Sequence, residues 1–321
     1  MKLSSHFKTL KKLGAIFGVA CGLLLSGQAL AECQLEEGYQ LPLGIAFKEH
    51  CYGFEDLAVV YKSDKFGFVD KKGNIKIALE YDNVSDFQEG LAVVRKNGLA
   101  GYINKIGKTV IPLSFNDASY FNDGLARVMK DDHYGMINKD GNVVIPLLYE
   151  DIMGVGEGLF AVRKEGKYGY INYDNELIIP FEYDSTVGFY DGLAAVEIGD
   201  KHGFIDRFNN RVVPLEYDFA LSSSEGVAST IKGDDSYYYL VDKENNTVTP
   251  VDYEIYSPFY NGLALVSKDG KKGFIDKTGK LVIDFQYDHV EPREPFLDGT
   301  AYVQKDNEFF YINMKGQRLE K

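Results

Sequence analysis

A short motif returns along this chain at a nearly constant interval, and that period limits the possible folds more than any other feature. An acidic residue, Gly, Leu and Ala recur as Glu89-Gly90-Leu91-Ala92, Asp123-Gly124-Leu125-Ala126, Glu157-Gly158-Leu159 and Asp191-Gly192-Leu193-Ala194. They continue as Glu225-Gly226-Val227-Ala228, Asn261-Gly262-Leu263-Ala264 and Asp298-Gly299-Thr300-Ala301. Glu55-Asp56-Leu57-Ala58 is the first copy, with Asp in the Gly place. From position 56 to 226 the spacing is 34 residues each time, and the last two intervals are 36 and 37. A chain written this way is a tandem array whose units bury their apolar faces on one another.

Each unit reads as β structure. Apolar runs of four to six residues, rich in Val, Ile, Tyr and Phe, are punctuated by Gly or Asn. Eleven residues after the first motif comes a second, as in Phe66-Gly67-Phe68-Val69-Asp70, Tyr134-Gly135-Met136-Ile137-Asn138 and Lys272-Gly273-Phe274-Ile275-Asp276. Two copies lose this Gly, at Tyr239 and Phe310. A turn then follows, in which Asp or Asn caps through its own side chain and Gly takes the left-handed position. Asn210 and Asn246 occupy nearby turn positions in the copies that lack that Gly, and Asn is the next best left-handed residue. Four strands are expected per unit, for example around Val84–Phe87, Leu91–Arg95, Gly101–Asn104 and Val110–Pro112. Consecutive apolar residues such as Leu91-Ala92-Val93-Val94 require both sheet faces to be covered.

The fold class is therefore all-β: eight tandem units of about 34 residues built from short antiparallel strands. The expected arrangement is β-propeller-like, with an open β-solenoid as the alternative. Ala46-Phe47-Lys48-Glu49 lies 68 residues before Ser114-Phe115-Asn116-Asp117, while the last copy stops at Arg318-Leu319. That complementarity is expected of a ring in which both ends complete one blade.

Residues 1–31 read as a signal peptide. Lys2, Lys8, Lys11 and Lys12 precede an apolar run from Leu13 to Gly27, which is short for a bilayer span, and Ala29-Leu30-Ala31 supplies the small residues of a cleavage site after Ala31. Residues 32–54 form an N-terminal segment and 55–321 the repeat domain. Cleavage changes the formal net charge from -13 to -17, because four lysines and no acid are removed. A surface so acidic argues against nucleic acid as a partner. Of three Cys, Cys33 and Cys51 would remain; in an oxidising compartment they are expected to pair, contributing about 3 kcal/mol through loop closure.

At these motifs the sequence resembles the WG-repeat family, whose unit runs roughly Gly-Leu-Ala, Trp-Gly-Tyr-Ile-Asp, Gly-Lys, Val-Ile-Pro and Tyr-Asp. The resemblance covers about residues 55–321. The chain contains no Trp: the family's Trp place holds Phe66, Ala100, Tyr134, Tyr168, His202, Tyr238, Lys272 and Phe309. Ala100, His202 and Lys272 imply that the position lies partly at an edge. The resemblance implies an exported bacterial repeat protein and supports the fold class, with no general chemistry attached.

Recognisable chemistry is sparse. His50, His133, His202 and His289 occupy different repeat phases, so no metal-ligand spacing emerges, and no nucleophile elbow or phosphate loop is present. Repeated acids, and the pairs Asp131-Asp132 and Asp234-Asp235, are read as turn caps and a solvated acidic surface, with calcium at an acidic loop as the alternative. No catalytic residue, cofactor or metal is assigned.

The period breaks near Ile231–Ser236, which gains two residues, and near Val290–Leu297, which gains three. Insertions in repeat proteins gather on one face, often the binding face, and Tyr offers large contact area at low entropic cost. Tyr237, Tyr238, Tyr256, Phe259, Tyr260 and Phe296 therefore form the candidate recognition surface. The expected function is that of a monomeric, exported, non-enzymatic module in the periplasm or outside the cell, without a membrane span after cleavage, binding a protein or an envelope glycan. Alternatives are an envelope glycan hydrolase using Asp234, Asp235 and Glu291, or a purely structural envelope protein.

Overall fold

The computed structural model describes residues 35–48, 57–233, 237–242, 247–291 and 295–320. Ala31, Cys33, Cys51, Asp234, Asp235 and Asn246 lie outside the described residues. The described chain is all β, with no helix. It divides into two compact units, residues 1–97 with 103–109, and residues 98–102 with 110–321.

Among the described residues, eight antiparallel sheets follow one another along the sequence, seven four-stranded and the last three-stranded, each a meander of consecutive strands. The fourth sheet shows the pattern: Asp151–Gly156, Leu159–Lys164, Lys167–Ile171 and Leu177–Tyr183. Among the described residues no strand is shared by two sheets, and the strand expected to complete a blade with the last repeat is paired within the first. Ala46–Phe47 pairs with the second strand of the first sheet, Phe47 opposite Val60, as Ala118 lies opposite Val128 in the third. Phe47 thus stands for Ala118, not for Phe115, so the 68-residue match joined unlike positions. The last sheet, His289–Val290, Thr300–Lys305 and Glu308–Asn313, carries only the start of a fourth strand, at the Ile312–Arg318 bridge.

Turn chemistry accounts for the period. Glu89 and Gly90 have φ of 51° and 87°, so both central residues of this two-residue hairpin are left-handed, the combination that matches strand twist. The Asx caps form as expected. Asp70 accepts the amides of Lys72 and Asn74 at 2.9 Å, and Asp206 those of Phe208 at 2.9 Å and Asn210 at 2.8 Å. The left-handed residue sits three positions after the cap, so in the fifth sheet it is Asn209, φ 65°, and not Asn210. Asn210 instead returns its amide to Asp206.

The glycine of the second motif has a different cause. A Cβ on Gly169 would lie 2.6 Å from the Ile179 carbonyl, because the fourth strand bulges toward it: Tyr168 pairs with Tyr183 but Tyr170 with Ile179. Where Tyr239 replaces this glycine, the bulge is absent and Tyr237–Asp242 pairs with Thr247–Val251 in unbroken register.

The core lies between successive sheets. Leu159, Ala161, Tyr170, Ile179 and Tyr183 of the fourth sheet pack on Phe189, Ala194, Val196 and Ile205, which belong to the fifth repeat. The same forward-on-backward packing joins the sixth sheet to the seventh and the seventh to the eighth. Leu91, Ala92, Val93 and Val94 are all buried, as their pattern requires. Aromatic pairs recur: Phe68 with Phe87, Tyr102 with Phe121, Tyr170 with Phe189 at 4.8 Å, and Phe274 with Phe296 at 4.7 Å. Burying each such ring is worth about 1.5–3 kcal/mol. In the first unit the backward face of the first sheet, Ala58, Val60 and Val69, is covered by Leu41, Ile45, Phe47 and Leu79.

Candidate interaction surface

The repeated acids are occupied by scaffold bonds. Glu157 accepts the amide of Gly192 at 2.7 Å, Asp191 that of Gly226 at 2.5 Å, and Glu225 that of Gly262 at 2.9 Å. Each turn thus caps the turn of the next repeat. The aromatic–acid step makes a second series: Asp184 pairs with Lys167 behind it and accepts the Gly199 amide ahead at 2.9 Å, and Asp218 does the same with Lys201 and Gly233. The lysine and amide bonds hold both carboxyls below the usual carboxylate range. These pairs are substantially exposed and individually weak, so their effect is to set spacing rather than to supply stability.

The family Trp position forms a half-buried platform gripped by cations or rings. Arg127 lies over Tyr134 with 4.8 Å to the centroid, Arg163 over Tyr168 at 5.7 Å, and His202 stacks on Phe219 at 5.9 Å. Tyr168 also donates to Asp151 at 2.9 Å, and burial together with that carboxylate pushes its hydroxyl up to about 12. Ala100 departs from the edge reading, since it is fully buried.

Only part of the expected recognition surface is on the surface. Phe259 and Phe296 are 2% and 0% exposed and are core anchors, because each sits three residues before a motif Gly, in the place of Phe87 and Phe189. Phe296, near the second insertion, still reaches Phe274. Tyr237 lies on the third strand of the sixth sheet, Tyr238 and Tyr260 are half-buried, and Tyr256 is 51% exposed. Glu291 is exposed.

Around Tyr256 a small polar–aromatic patch forms. Its hydroxyl donates to Glu254 at 2.9 Å, and the Lys272 ammonium stands 3.4 Å from its ring centroid. Burial and the Glu254 bond push the Tyr256 hydroxyl up to about 12, while burial lowers Lys272. Burial, helped by Glu254, also raises Tyr238. A cation on one ring face, a carboxylate at the hydroxyl and exposure of much of the ring suit stacking plus hydrogen bonding by an external group.

A second aromatic surface escaped the sequence reading. Tyr302, Phe309 and Tyr311 on the eighth sheet are 39%, 48% and 45% exposed. Tyr302 stacks on Phe309 at 5.5 Å and 23° and meets Tyr311 at 4.8 Å. Tyr302 stands where the seventh repeat has Leu265, and Tyr311 where it has Phe274. Both of those are buried under the following sheet. Repeat alignment would have flagged the pair, had strand faces been assigned.

Among the described residues no group of His, Cys, Asp and Glu is placed to hold a metal ion, and no helix is long and apolar enough to cross a membrane.

Comparison with known proteins agrees with the repeat architecture. No curated protein sequence matches the chain significantly. Among solved structures it is similar to a eukaryotic initiation factor, at 10% identity and TM-score 0.49, covering 82% of this chain and 83% of that one. It is also similar to apo AztD from Citrobacter koseri, at 12% identity and TM-score 0.34, covering 89% and 86%. At these scores the likeness carries no functional argument. The family described as WG containing repeat matches seven consecutive stretches, residues 66–99, 101–132, 134–168, 168–201, 203–234, 240–271 and 273–309. The chain therefore belongs to the WG containing repeat family, with the family Trp replaced in every copy.

Proposed function

We propose that the protein is exported and acts as a non-enzymatic binding module for a protein or glycan of the cell envelope, through loops of its sixth and seventh repeats. Export rests on the lysine-rich, then apolar, then small-residue order of residues 1–31. The observation that carries the binding reading is the contrast between two sets of residues. The repeated acids are bonded repeat to repeat, whereas Tyr256 breaks the regular pattern and presents an exposed ring flanked by Lys272 and Glu254. Exposed Tyr beside a fixed charge pair is suited to peptide or sugar contacts.

The test is capture of ligands from envelope extract and from a panel of envelope glycans, comparing wild type with Tyr256→Ala combined with Lys272→Ala. Capture is expected to fall about tenfold or more, since interface aromatics commonly supply over 1 kcal/mol. Undiminished capture by a variant whose thermal unfolding is unchanged would overturn the reading. Protein recovered from the envelope fraction should begin at Glu32.

A further inference from the structure

We propose that the Tyr256 patch takes a sugar acid: a glycan residue whose ring stacks on Tyr256, whose carboxylate meets Lys272 and whose hydroxyls reach Glu254. This rests on the binding reading above and names the ligand class of that same site. Its first support is an inversion of the repeat pattern. In the third and fourth repeats the family Trp position holds a ring, Tyr134 or Tyr168, and the second strand supplies the cation over it. In the seventh repeat that position holds the cation, Lys272, and the ring is Tyr256, just after the first strand Glu254–Ile255. The two arginines are matched by carboxylates, Arg127 by Asp151 at 3.4 Å and Arg163 by Glu150 at 3.7 Å. So are the neighbours of Lys272 on its own hairpin: Lys268 pairs with Asp252 at 2.7 Å, and Lys271 with Asp288. Among the described residues Lys272 forms no ion pair, and Glu254 acts on it only at longer range. A half-buried ammonium is costly without an anion beside it, so an anionic ligand group gains more from Lys272 than from the paired lysines.

The rest of the patch decides what carries the anion. Glu254, Ser267 and Lys272 form one cross-strand row over the first three strands of the seventh sheet, with a carboxylate and an ammonium on either side of a buried hydroxyl. Glu254 accepts the Tyr256 hydroxyl at 2.9 Å and has acceptor capacity left for further hydroxyl donors. Its charge opposes a doubly charged phosphate more than a singly charged carboxylate held at the ammonium. The exposed ring suits the apolar face of a pyranose. An added peptide strand fits poorly. The first strand is two residues long, Pro258 follows closely, and the Tyr256 amide is spent on the Leu265 carbonyl at 2.8 Å. A pyranose bearing a carboxylate supplies an apolar face, hydroxyl donors and one negative charge in a single rigid unit.

Isothermal titration of the intact protein with uronate-, sialate- and muramate-containing oligosaccharides, each beside the same chain with its carboxyls reduced to alcohols, tests this. Wild type is expected to bind at least one acidic chain about tenfold more tightly than its reduced form. Lys272→Met, which keeps an apolar stem over the ring, should bring the acidic chain to the affinity of the reduced one. Tyr256→Ala should weaken both. The comparison of the two ligands on wild type needs no variant, so it decides the matter even where a variant folds poorly. No binding of any acidic chain, or equal affinity for acidic and reduced forms, would overturn the proposal. So would an acidic preference that survives Lys272→Met in a folded protein. Capture of an envelope protein through Tyr256 and Lys272, with no acidic glycan bound, would also overturn the sugar assignment while leaving the binding module standing with a peptide partner.

Discussion

Gly169 and Gly166 lie three residues apart and are glycine for unrelated reasons. Gly169 is in a strand, where any Cβ would meet the backbone of the bulged fourth strand; Gly166 has φ of 77° with open space around it. Gly169→Ala is therefore expected to cost about 1–3 kcal/mol by forcing two strands apart. Gly166→Ala should cost about 1–2 kcal/mol, by left-handed strain alone. Urea unfolding midpoints measure both, and only the first variant should also lose amide protection along Leu177–Tyr183. The sequence shows both glycines at repeat phase, but their different roles depend on a register shift that no residue pattern displays. The same holds for Phe259 and Phe296. As aromatic residues near insertions they resemble surface anchors, but their place three residues before a motif Gly and the edge-on contact of Phe296 with Phe274 make them core rings.

Within an element pair, one carboxylate on a hairpin tip ties its repeat to the next. Asp191 sits in a left-handed turn, φ 52°, and reaches the Gly226 amide at 2.5 Å. Asp191→Asn keeps both an acceptor oxygen and tolerance of that conformation, so it should be close to neutral. Asp191→Ala loses the bond and adds strain, at a combined cost of about 1.5–3 kcal/mol. Hydrogen exchange should then rise at Gly226 and Val227, the next repeat, more than at Leu193. Equal changes in both variants would show that the carboxylate ladder does not couple repeats. The alternation of acid and glycine was legible in the sequence as turn chemistry. The bond to the following repeat was not, because it spans 35 residues and depends on how two turns are stacked.

For the whole molecule, the titrating groups define a pH window. Burial lowers His202, so the folded state holds it neutral while the unfolded chain takes up a proton below about pH 6.5. Stability should therefore fall as pH drops through that region, and His202→Gln should flatten the loss. At the other end Tyr168, Tyr183 and Tyr256 are pushed up to about 12, chiefly by burial, against about 10 for a free tyrosine. The folded state keeps these protons, so their contribution is complete below about pH 10 and lost as pH rises toward 12. Aspartates such as Asp184 and Asp218 are lowered by lysine and amide bonds, and their contribution is lost only as pH falls below the usual carboxylate range. Thermal midpoints measured from pH 4 to 11 should form a plateau between about 6.5 and 10. A midpoint unchanged between pH 7 and 5 would show that His202 is not held neutral.

By itself, the order of residues determined an all-β array of eight repeats, the placement of most strands and the Asx caps. All of these are local: a turn needs only its own four or five residues, and a strand only its own alternation and branching. Tertiary structure decided which face of each strand meets the next repeat. It thereby decided that Phe259 and Phe296 are core, that Tyr256 remains exposed beside Lys272, and that Tyr302, Phe309 and Tyr311 meet as a partly exposed aromatic cluster. It also placed Ala46–Phe47 in the first sheet rather than the last. The reason is physical: burial is a property of pairs of surfaces, and a repeated sequence presents nearly the same surface each time, so only packing decides which residues at a repeated position are buried.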